Sequence, residues 1–146
     1  MVDRVDPYFG YNFTVELDGM TRAGFRECSG LESSQNQAEY REGTDANLAP
    51  RKIPGLNSYG DITLSRGVTN DSKLWEWRQR VMKGTVERHN VSITLLDQQG
   101  GPRVTWNLFE CWPKSWTGPS LNATSDEIAV EQIVLACERI EVDQWS

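Results

Sequence analysis

Residues 43–67 read Gly-Thr-Asp-Ala-Asn-Leu-Ala-Pro-Arg-Lys-Ile-Pro-Gly-Leu-Asn-Ser-Tyr-Gly-Asp-Ile-Thr-Leu-Ser-Arg-Gly, and no helix survives that spacing of breakers. Pro50 and Pro54 each remove a backbone donor, and Gly43, Gly55, Gly60 and Gly67 leave no run of helix formers long enough to propagate. The segment divides into a loop over residues 43–58 and an alternating strand over residues 59–66 with Ile62 and Leu64 on one face. A loop of that length in a small domain serves to touch something else. The basic pair Arg51 and Lys52 stands in its middle.

The rest of the chain limits what that contact can be. At 146 residues, with 38% hydrophobic and 25% charged side chains, it is expected to fold as one domain, 1–146, with its own apolar core. No apolar run approaches the ~20 residues of a membrane-spanning helix. The N-terminal Met-Val-Asp-Arg-Val-Asp-Pro lacks an apolar stretch, so synthesis in the cytoplasm without a signal peptide is expected. Fifteen basic and twenty-one acidic residues give a net charge of -6. With no basic cluster beyond Arg51-Lys52, tight nucleic-acid binding is disfavoured. Cys28, Cys111 and Cys137 are odd in number and form no Cys-x-x-Cys pair, which fits reduced, mostly buried thiols.

In chain order, residues 11–17 alternate, with Tyr11, Phe13, Val15 and Leu17 on one face. Asp18-Gly19 is a tight hairpin turn, and residues 20–28 are the returning arm. Gly30 ends it, and the polar residues 31–41 are read as a further strand. Thr69, Asn70 and Asp71 offer N-cap oxygens before a helix at about residues 71–83, where Leu74, Trp77 and Val81 share a face and Gly84 follows the C-terminus. Residues 89–97 and 103–112 form a second hairpin, after which Pro113, Gly118 and Pro119 punctuate a connection to about residue 126. Residues 127–137, rich in β-branched side chains, read as a long strand with a helix as the alternative, and 139–142 read as its extension. The sum is a mostly β (α+β) domain, an antiparallel sandwich or open barrel with one main helix.

A search for chemistry returns little. His89 is the single histidine, which removes most metal sites and the usual general base; beside a strand start it reads as a surface or cap residue. No phosphate-binding glycine loop, nucleophile elbow or zinc-binding helix motif is present. Carboxylates such as Glu39 and Glu42 read as solvated surface charge. No enzymatic activity and no cofactor are therefore expected. The six tryptophans fit core or subunit-interface packing. The alternative is a monomeric carbohydrate-binding module that uses exposed tryptophans. Strand faces bearing Thr, Ser, Asn and Gln rather than edge-blocking Lys or Pro would let a sheet continue into a neighbouring copy.

Several strings also resemble a known family. Asp6-Pro-Tyr-Phe-Gly-Tyr-Asn-Phe-Thr-Val-Glu-Leu-Asp-Gly19, Cys28-Ser-Gly-Leu31, Glu39-Tyr-Arg-Glu-Gly43, Arg51-Lys-Ile-Pro-Gly-Leu56, Leu74-Trp-Glu-Trp77 and Trp116-Thr-Gly-Pro-Ser-Leu-Asn-Ala123 are similar to tail tube proteins of contractile-tailed phages and phage-tail-like extracellular injection systems. Cys28, Glu110 and Cys111 depart mildly from the family pattern. The resemblance implies homo-hexameric rings in which subunits pool their strands into one continuous β-barrel, stacked as a hollow tube. Implied partners are further copies of the chain, a sheath protein and a baseplate or tube-initiator protein, with cargo in the lumen of a virion tail or injection particle. Glu39, Arg41, Arg51, Lys52, Ile53, Pro54, Leu56 and Tyr59 are implied to lie at subunit or ring contacts.

Overall fold

A computed structural model describes residues 6–17, 21–44 and 49–146. Its longest strand, Pro102–Thr117, belongs to two layers at once. In chain order the strands are β1 (Phe13–Leu17), β2 (Thr21–Ala23), β3 (Glu27–Ser29), β4 (Ser33–Tyr40), β5 (Arg51–Tyr59), β6 (Ile62–Gly67), β7 (His89–Leu96), β8 (Pro102–Thr117), β9 (Val130–Ala136) and β10 (Arg139–Trp145), with α1 (Lys73–Met82) between β6 and β7. The first half of β8 lies between β7 and β10, and β7 continues to β1 and β2. Its second half pairs with β9, which continues to β6 and β3. All of these pairings are antiparallel.

The sheet closes over itself at β8. Val15, Leu17, Val91, Ile93 and Leu108 of one half share a buried cluster with Ile62, Leu64, Ile133 and Leu135 of the other. These are the inward positions of alternating strands, as the period-two pattern requires. The bend has a local cause. Opposite the single residue Asn90, β8 inserts both Phe109 and Glu110 between the pairs His89–Cys111 and Val91–Leu108. Glu110 takes a left-handed φ of 55°, and its N–H donates to Asn90 Oδ1 at 3.3 Å. Such a bulge turns the strand and sharpens its twist. A second register shift falls at Lys114, whose Nζ reaches Asp61 Oδ2 at 2.8 Å.

Helix α1 packs Leu74 and Trp77, both essentially inaccessible, onto this core. Its start is held by Asp71, whose Oδ1 accepts the Lys73 N–H at 3.1 Å, while Ser72 at the N-cap position gives no side-chain cap bond. Gly84, with φ of 98°, ends it as expected. The Trp77 indole N–H donates to Glu87 O at 2.7 Å, tying the helix to the run into β7.

Several boundaries differ from the sequence reading. The loop expected over residues 43–58 is strand from Arg51 onward, and residues 45–48 within it lie outside the described part. The arm expected over 20–28 divides: β2 stays beside β1, and β3 crosses to β6, with Phe25 entering the core between them. The Asp18-Gly19 turn lies outside the described residues. Strand β8 runs through Pro113 to Thr117 instead of ending at Trp112, because Pro113 sits beside the register shift, where a missing donor costs little. Residues 139–142 belong to a separate strand, β10, after a break at Cys137 and Glu138, yet they continue the direction and register of β9 along β8. Glu138 N–H donates to Phe109 O at 3.0 Å, and the chain runs on past it without reversing, so that β10 pairs with the first half of β8.

Candidate assembly interface

Strands β4 and β5 pair only with each other, as a ribbon rooted where Gly60 N–H donates to Glu32 O at 3.1 Å. The root is tight. Gly30 has φ of 97°, and a Cβ there would stand 1.9 Å from Asp61 O, so only glycine fits. Along the ribbon Tyr40 faces Arg51, Glu39 faces Lys52, Ala38 faces Ile53 and Gln37 faces Pro54. Then Gly55 and Leu56 together oppose the single Asn36, a bulge at which a Cβ on Gly55 would come 2.9 Å from Asn36 O. Pro54 is tolerated because it adjoins this bulge. Ser34 and Ser58 join through their hydroxyls at 2.8 Å, and Gln35 Nε2 donates to Gly55 O at 3.0 Å.

Every residue of the ribbon is exposed except Tyr59, which is half-buried at its base. Of the residues expected at contacts, Glu39, Arg51, Lys52, Ile53, Pro54, Leu56 and Tyr59 lie on the two strands, and Arg41 directly follows β4. Leu56 is 79% exposed, with Ile53 and Tyr40 also open to solvent. At the tip, Arg51 stands 3.9 Å from Glu42, and the Tyr40 hydroxyl donates to Glu42 Oε1 at 3.3 Å. Sequence reasoning placed Arg51, Lys52, Ile53, Pro54 and Leu56 in a loop, whereas they stand on β5 and pair with the facing strand β4. The available signal was Pro54-Gly55 opposite a polar run of strand length.

The rest of the molecule shows side chains placed for structure. Glu87 bonds Arg80 at 2.5 Å and stands 3.1 Å from His89 Nε2; the Arg80 hydrogen bond first, then its charge and that of His89, hold the Glu87 carboxyl below the ordinary range. His89, which was read as a surface or cap residue, is instead half-buried with its ring edge-on to Trp77, centroids 5.1 Å apart. Asp97 closes the β7–β8 turn by accepting from the N–H groups of Gly101 and Gln99 and pairing with Arg103; the Gly101 bond is the largest of the contributions that lower its pKa. Among the described residues no three His, Cys, Asp or Glu side chains converge as a metal site, and no helix is long and apolar enough to cross a membrane.

Comparison with known proteins gives this geometry a context. The profile of the T4-like virus tail tube protein gp19 family matches residues 10–141. A chain in the structure of an extracellular contractile injection system, the PVC sheath-tube complex in its extended state, is 32% identical; the match covers 94% of this chain and 92% of that one, with a TM-score of 0.84. A chain in the anti-feeding prophage (AFP) tube-terminating cap is 34% identical over 99% and 95% of the two chains, with a TM-score of 0.88. At 17% identity, Hcp1 from Flavobacterium johnsoniae shares the fold alone, with 90% and 94% covered and a TM-score of 0.56. A search of curated protein sequences finds no match. None of these similarities points to carbohydrate binding. With the profile matched over nearly its whole length, the chain belongs to the T4-like virus tail tube protein family.

Proposed function

We propose that the chain is the repeating subunit of the inner tube of a contractile injection particle, arranged as homo-hexameric rings that stack into a hollow passage for cargo. The exposed β4–β5 ribbon carries this reading. A two-stranded ribbon whose faces are left almost wholly exposed is marginal in water, and its exposed Tyr40, Ile53 and Leu56 are an unusual set to leave solvated together. A second copy would supply the missing layer, so Glu39, Arg41, Arg51, Lys52, Ile53, Pro54, Leu56 and Tyr59 act as contacts within or between rings. Similar chains occur in sheath-tube and cap structures, which supports a surrounding sheath and end-capping or baseplate proteins as partners. The work is mechanical: the tube transmits thrust, and its subunits are built for contact rather than for turnover.

Negative-stain microscopy of the purified chain over a range of concentrations tests this. Hollow stacked rings are the expected result. A monomer at every concentration, together with no tubes in particles from the source, overturns it.

A further inference from the structure

Two of the three cysteines meet where β8 bends. Cys111 is fully buried one residue past Glu110, and Cys137 follows the last residue of β9 and is half-buried. The backbone on both sides of them is in register: Trp112 faces Ala136, and Glu138 N–H donates to Phe109 O at 3.0 Å. That register sets Cys111 on β8 opposite Cys137, which stands just past β9 and whose thiol donates to Gly60 O at 3.6 Å. Facing residues of antiparallel strands have Cα atoms about 4.5–5.5 Å apart, inside the ~4.4–6.8 Å that a disulfide spans. Both thiols are free, and the register around them matches the backbone separation a disulfide spans.

The two sulfurs are also unequal. Hydrogen bonding toward Cys111 lowers the Cys137 pKa, whereas that bonding and then burial push Cys111 up. Cys137 is also the more accessible of the two, so it is the sulfur that a dissolved disulfide meets first. Cys28 differs from both: it sits on β3 opposite Leu64, and burial pushes its thiol up to about 11.

We propose that Cys111 and Cys137 form a modification site, a dithiol that a small disulfide such as oxidised glutathione converts into an intrachain disulfide. The Cys137 thiolate attacks one sulfur of the oxidant, forming a mixed disulfide and expelling one thiolate, which takes up a proton. Cys111 then gives its proton to solvent and attacks the Cys137 sulfur, expelling the second thiolate. Two protein thiols are oxidised and one small disulfide is reduced to two thiols. The bridge fastens the bend of β8 to the β9–β10 junction and closes the intervening chain into a covalent loop.

The test incubates the full chain with oxidised glutathione, blocks remaining thiols after denaturation, and maps the products by peptide mass. The expected product links Cys111 to Cys137, leaves Cys28 as the one blocked thiol, and melts higher by roughly 5 °C or more, reversibly with reductant. Cys28→Ser should form the same bridge. Cys137→Ser, chosen because replacing the buried Cys111 could unfold the chain, should leave Cys111 free and show no rise in melting temperature. Three blocked thiols after oxidation, a glutathione adduct persisting on Cys137 beside a free Cys111, or a bridge that uses Cys28 would each overturn the proposal.

Discussion

Arg66 is 4% exposed and Glu131 5%, and they face each other across β6 and β9 with Nε and Oε1 2.6 Å apart. The guanidinium also reaches the Asp71 carboxylate at 3.2 Å and its carbonyl at 3.0 Å, and lies over the Phe25 ring. Trp116 donates to the second Glu131 oxygen at 3.2 Å. Two charges so deeply buried persist only because each polar atom is matched, and removing one leaves the other stranded. Glu131→Ala should therefore cost about 3–5 kcal/mol in chemical denaturation, while the apolar double change Arg66→Met with Glu131→Leu should cost much less. Asp71 adds a pH dependence. The Lys73 N–H first, then Arg66, depress its carboxyl pKa, so its contribution is complete at neutral pH and is lost as acid titrates the folded state through that lowered value. Urea midpoints measured below about pH 4 should fall less steeply in Asp71→Asn than in the parent. Glu110 offers the opposite case. A left-handed residue with a Cβ is strained, and Glu110→Gly should stabilise by up to about 1 kcal/mol in the same assay. None of these residue-level facts was legible in the sequence, where Arg66 and Glu131 stand 65 positions apart and only register brings them together.

The elements were legible in proportion to how one-sidedly they are buried. Strands β1, β7 and β9 and helix α1 each carry an apolar face at the right period; the period-two and helical patterns found β1, β7 and α1, and the β-branched side chains found β9. Strand β5 was missed because it buries no face in the subunit: Arg51, Lys52, Ile53, Pro54 and Gly55 carry no alternation, and a proline with a glycine looks like a loop until the bulge opposite Asn36 is seen. The break between β9 and β10 was hidden because Ala136-Cys137-Glu138-Arg139 contains no glycine or proline and the chain keeps its direction along β8 through it. At this scale the ribbon invites a charge test. Arg51→Glu with Lys52→Glu reverses two exposed charges and touches no core residue. Circular dichroism and the melting temperature of the monomer should be unchanged, and sedimentation should show impaired polymer formation. Normal polymers from this double variant would remove the basic pair from the interface.

For the whole molecule, the fold class and the family were within reach of the sequence because strings from the first strand to the β8–β9 connection agree with one pattern, whereas the doubling of the sheet about β8 was not. Hydrogen exchange should separate the two layers of stability. In dispersed subunits the amides of residues 33–40 and 51–59 should exchange quickly while β7 and the first half of β8 stay protected, and in assembled material the ribbon should become protected as well. Unchanged ribbon exchange on assembly would place the contacts elsewhere. The shared strand also bears on how such a subunit meets force. Because β8 is one unbroken backbone through both halves of the sheet, a push on either half reaches the other through covalent bonds and not through side-chain packing alone. Where the load lies along β8, its flanking hydrogen bonds are sheared together instead of being opened one after another, so the subunit yields as a unit or not at all.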